Sequence, residues 1–95
     1  MQLEIITPES KIFSGEATAV QFPGLDGSFQ VLNNHAPIIS ALSAGTVKID
    51  LDTVYKAPEK MNKNISVVNN GKELHVTIKG GVIEMQNNKI IVLAE

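Results

Sequence analysis

The chain has 95 residues, 43% of them hydrophobic, which suffices for one domain with one core and leaves too little for a second. It contains no cysteine, so disulfide frameworks, cysteine zinc sites and thiol catalysis are excluded. A net charge of -2, with eight lysines scattered from Lys11 to Lys89 and only four aromatics, excludes the clustered cations and stacking rings of a nucleic-acid groove.

The opening residues, MQLEIITPES, lack the basic start and apolar run of a signal peptide. No window approaches the roughly 18 apolar residues of a spanning helix, and a soluble, cytoplasmic chain without direct lipid insertion is expected. Short strands are expected at residues 2–6, 16–22 and 28–32. In TVKIDL, residues 46–51, Val47, Ile49 and Leu51 point one way and Thr46, Lys48 and Asp50 the other, the signature of a half-buried strand. Residues 52–64, DTVYKAPEKMNKN, are polar and without a clean period; they read as a long mobile loop with a helical turn near Pro58 to Met61. Strands resume at 65–69 and in KELHVTIKG, where Leu74, Val76 and Ile78 face inward and Glu73, His75, Thr77 and Lys79 outward. Residues 81–86 and 89–93 complete the series. Pro23-Gly24, Asp26-Gly27, Asn33-Asn34, Asn70-Gly71, Gly80-Gly81 and Asn87-Asn88 supply the turns, because these residues tolerate positive φ or bond their own backbone. Many short strands without a convincing helix read as an all-β sandwich or small barrel.

Reactive groups are sparse along this pattern. The acidic residues are spread evenly, so no carboxylate pair stands out for acid and base work. Gly24 and Gly27 flank Leu25-Asp26, but no Lys-Ser/Thr follows, and a hairpin turn is a better reading than a phosphate loop. His75 sits on the outward side of a strand as a solvated surface residue. His35 precedes Ala36-Pro37, and the proline drives Ala36 to an extended conformation, so chain direction is set there. No His or Asp cluster accompanies it, so a shaped contact surface is the better reading than a base or a metal ligand.

The strings LEIITPESKIFSGEATAVQFPGLDGSFQVLNNHAPIISALSAGTVKI, residues 3–49, and KGGVIEMQNNKIIVLAE, residues 79–95, carry a specific order of markers. A TP opening is followed by FSG, a PG and DG turn, an NHAP loop, a GG pair and a terminal VLAE. In this order they resemble the amino-terminal β-sandwich domain of the epsilon subunit of bacterial F-type ATP synthase, counterpart of the mitochondrial delta subunit. The resemblance implies a sandwich or flattened barrel of about ten short strands spanning residues 1–95 as one domain. It implies a non-catalytic rotor part without cofactor or metal, docking the gamma subunit onto the c-ring and coupling proton-driven rotation to ATP synthesis. Its place would be peripheral, on the cytoplasmic face of the bacterial plasma membrane. Contacts with gamma are implied for Thr7, Asn34, His35, Ala36, Pro37 and Ser40, all toward one side, and contacts with the c-ring for Gly24, Leu25, Asp26, Gly27 and Ser28. Many relatives have Glu where this chain has Ser28, which leaves Asp26 to supply a charge contact with the ring. Relatives also continue past VLA into two inhibitory helices; with Glu95 following directly, a short form without that helical hairpin is expected. The stretch 50–74 is longer than the usual connection. The rival readings are a free-standing ligand- or peptide-binding β domain and a small enzyme built on His35, the latter requiring a carboxylate within reach of the imidazole.

Overall fold

The fold is taken from a computed structural model that describes residues 1–56 and 61–95. Within them lie ten strands: β1 (Gln2–Ile6), β2 (Lys11–Glu16), β3 (Ala19–Gly24), β4 (Gly27–Leu32), β5 (Ile38–Leu42), β6 (Gly45–Asp50), β7 (Ile65–Val68), β8 (Glu73–Ile78), β9 (Gly81–Gln86) and β10 (Lys89–Ala94). Among the described residues the helical structure is one 3₁₀ turn, Asn69–Gly71. The strands follow the order β2-β1-β10-β9-β5-β3-β6-β8-β7, with β4 added on β3. All pairings are antiparallel except β1 on β10, which brings the first and last strands side by side, Gln2 opposite Lys89 and Ile6 opposite Leu93. The expected all-β sandwich or flattened barrel of about ten strands is the fold observed.

Alternation builds the core. Leu3 and Ile5, Ile83 and Met85, and Ile90 and Val92 point inward from β1, β9 and β10. Val20 and Phe22, Val47 and Ile49, and Leu74 and Val76 do so from β3, β6 and β8. All belong to one apolar cluster, so the β2-β1-β10-β9-β5 half folds over the β4-β3-β6-β8-β7 half. The halves are joined in the sheet by a narrow seam, the Gly24–Leu42 pairing of β3 with β5. Phe22 and Phe29, opposite each other on β3 and β4, stack with centroids 5.6 Å apart.

Three expectations are corrected, and β5 was not among the strands expected. The strand read at 16–22 is two: β2 ends at Glu16, Ala17 and Thr18 connect, and β3 runs from Ala19 through Pro23 to Gly24. β2 is invisible to a period-two search because a bulge shifts its register between Ile5 and Ile6, and Ile12 and Phe13, adjacent in sequence, are both buried. Pro23-Gly24 is not a separate turn; Leu25 and Asp26 alone turn the chain between paired Gly24 and Gly27.

The polar segment after β6 is tied down where it is described. The Leu51 N–H donates to the Lys72 carbonyl and the Tyr55 N–H to that of Gly71, both at 2.8 Å, and the Tyr55 ring lies 6.3 Å from Phe13 against the core. The helical turn expected near Pro58 to Met61 falls largely on residues 57–60, outside the described residues.

Candidate functional site

The β3–β4 hairpin is built for an exposed tip. A side chain at Gly24 would come within 2.6 Å of the Gly27 carbonyl oxygen and 3.0 Å of the Phe29 ring, so glycine lets the strands close tightly over the aromatic pair. Leu25 and Asp26 then project from the tip, Leu25 being 66% exposed. Gly24, Leu25, Asp26, Gly27 and Ser28 line an open cleft of about 330 Å³ together with Phe29, Ser40 and Ala41.

The His35 loop is held by hydrogen bonds to its neighbours. Asn34 adopts φ 62° and its N–H donates to Asn88 Oδ1 at 2.7 Å, while the His35 N–H donates to the Leu32 carbonyl. His35 Nδ1 donates to the Ala36 carbonyl at 2.7 Å, which folds the imidazole back on its own backbone. His75, expected to be solvated, instead hydrogen-bonds Glu73 through Nε2 and is half-buried. Among the described residues no three His, Asp or Glu side chains gather in metal-ligating geometry.

Thr7 closes a tight corner: its N–H and Oγ1 both donate to the Ser10 carbonyl, and Oγ1 accepts from the Ser10 N–H. That corner lies beyond Ile6, the end of β1 that pairs with Leu93, whereas Asn34 touches the turn beside the Gln2–Lys89 end. Five residues of strand, about 17 Å, separate the two ends. Ser40 departs from this set, lining the cleft beside the hairpin tip with the expected ring contacts.

What lies between Thr7 and the His35 loop is a surface that sequence reasoning missed. The strand registers put the outward side chains of β1, β10, β9 and β5 in three rows. Ile6, Leu93, Val82 and Ala41 form one; Glu4, Ile91, Glu84 and Ile39 the next; Gln2, Lys89 and Gln86 the third. Leu93 is 58% exposed, Val82 45% and Ile39 74%, apolar side chains left on the surface of a domain whose core is already closed. Pro37 borders them, sharing a groove with Ile39, Glu84 and Gln86. Thr7 and the Asn34–Pro37 loop thus mark two corners of one face. The available signal was KIIVLA: five consecutive apolar residues in a strand place Ile90, Val92 and Ala94 inside and leave Ile91 and Leu93 on the outer face.

The family described as ATP synthase, Delta/Epsilon chain, beta-sandwich domain matches residues 1–57. A protein of Chlorobium limicola named ATP synthase epsilon chain is 37% identical over 94 residues, covering 99% of this chain and 88% of that one. Its namesake in Desulforamulus reducens is 34% identical over 94 residues, and there the chain spans only 58% of the relative's length. A chain in the cryo-EM structure of the Tetrahymena thermophila mitochondrial ATP synthase, central stalk and c-ring, superposes with a TM-score of 0.67 over 98% of this chain and 61% of that one; at 16% identity this shows a common fold. A family match over more than half of the sequence, and a relative covered almost end to end, agree with the resemblance carried by the markers from the TP corner to VLAE: the chain belongs to the ATP synthase delta/epsilon chain β-sandwich family.

Proposed function

We propose that this chain is a non-catalytic part of the rotor of an F-type ATP synthase, docking the gamma subunit onto the c-ring at the cytoplasmic face of a bacterial plasma membrane. The observation that carries the reading is the apolar face of β1, β10, β9 and β5, which a self-sufficient domain would not leave in water. Gamma covers this face, with Thr7 and Asn34, His35, Ala36 and Pro37 at its corners. The hairpin tip, Gly24 to Ser28, meets the c-ring, with Leu25 as apolar anchor and Asp26 as the charge contact; Ser40 belongs to this cleft. The role is mechanical. Each elementary charge crossing 100 mV releases about 2.3 kcal/mol, and a compliant foot between ring and stalk would dissipate that work. Two hydrogen-bonded sheet halves over one close-packed core deform little under load.

Membranes carrying the synthase stripped of this subunit provide the test. Adding the chain back restores proton-driven ATP synthesis, and Asp26→Ala attaches more weakly to c-ring membranes. A chain that binds the stripped complex no better than an unrelated β domain overturns the reading.

A further inference from the structure

Glu84 interrupts the apolar face at its centre. On β9 it stands opposite Ile91 of β10 on one side and Ile39 of β5 on the other, with Val82 and Gln86 next along its own strand. Two grooves flank it, one of about 280 Å³ toward Lys89 and Ile91 and one of about 460 Å³ toward Pro37 and Ile39. The other carboxylate of the same row, Glu4, has Lys11 3.8 Å away. Glu84 has no ion-pair partner among the described residues; Lys89 on the same face is diagonal to it, opposite Gln86, and makes no ion pair with it.

This arrangement is harmless in water and unfavourable once covered. A surface that buries Leu93, Val82 and Ile39 also strips water from the carboxylate between them, and a desolvated, unpaired carboxylate opposes binding strongly. Resting on the assembly proposed above, we infer that the partner surface covering this face carries a cationic side chain that pairs with Glu84. The apolar rows hold the partner and the acidic centre selects it. An all-apolar or acidic surface is rejected, and a second copy docked about an axis through this point would bring two Glu84 carboxylates together.

The test titrates the chain and its variants onto synthase membranes stripped of it, at low and high salt. Glu84→Gln binds about tenfold more weakly and Glu84→Leu about thirtyfold or more, as expected when one member of a desolvated charge pair is lost. Salt weakens the wild type more than either variant. Ile39→Asp and Leu93→Asp, which place a charge in the apolar rows, abolish binding. Every substituted side chain is outward-facing, and thermal unfolding within a few degrees of the wild type verifies that each variant is folded. If Glu84→Gln and Glu84→Leu bind as tightly as the wild type or tighter while Ile39→Asp and Leu93→Asp fail, the face stands and the cation is wrong. If Ile39→Asp and Leu93→Asp bind normally, the docking face itself is wrong and the inference falls with it. A dimer of the isolated chain in sedimentation at the titration concentrations, dissolved by Ile39→Asp, would identify a second copy as the occupant and also overturn it.

Discussion

Gly81 sits where β9 begins, with φ at 149°, and a β-carbon there would lie 2.3 Å from the Leu93 carbonyl oxygen and 3.0 Å from the Ala94 Cα. Both obstacles are backbone of the paired strand and cannot swing away. Gly27 also has a positive φ, 122°, but nothing lies within 4 Å of its added carbon. The two positions separate strain from collision. Gly27→Ala is expected to cost about 1 kcal/mol and Gly81→Ala about 3 kcal/mol, measured as shifts of the urea midpoint at unchanged slope. Phe22→Ala, which empties a fully buried site and unstacks Phe29, should cost about 3–5 kcal/mol. At this scale backbone demands were legible, announced by the glycines at the β3–β4 tip and before β9. The folded-back imidazole was not legible, because a hydrogen bond from Nδ1 to the next carbonyl depends on the backbone angles of Ala36.

Strands were read where apolar and polar residues alternate in the sequence; β2 was missed because geometry broke the alternation, and β5 because IISAL shows no such alternation although its burial does. The β1–β2 bulge turns Ile12 and Phe13 both inward, so β2 carries no period-two signal although it covers one edge of the core. β10 has the reverse problem: both of its faces are apolar, one buried in the core and one exposed. The β9–β10 turn was read correctly, and it does more than reverse the chain. Asn87 and Asn88 adopt φ values of 53° and 59°, as a tight two-residue hairpin requires, and Asn88 also holds the Asn34 N–H. Glycine at either position relieves the left-handed conformation, but only Asn88→Gly gives up the hydrogen bond. Asn87→Gly should therefore be the more stable variant by about 1 kcal/mol, and amide exchange at Asn34 should accelerate in Asn88→Gly alone.

The described sheet is tied together by β1, which is held between β2 and β10 and pairs in parallel with β10 across the longest separation in sequence. Such long-range pairing predicts folding in milliseconds to seconds rather than microseconds. Deleting Lys89–Glu95 should leave an unfolded chain, because it removes the strand that bridges β1 and β9. Tyr55 is the single tyrosine and packs on the core next to Phe13, so its fluorescence reports whether the polar segment melts with the sheet. One shared core predicts that fluorescence and far-ultraviolet circular dichroism transitions coincide; separated midpoints would mean that the segment opens on its own. The order of residues determined strand class, turn positions, most inward faces and family, because each is a property of local spacing or of strings in register. Tertiary structure alone decided which outward side chains share a surface. Ile6, Leu93, Val82 and Ala41 come from four strands, and only the hydrogen-bond registers of the sheet bring them into one row.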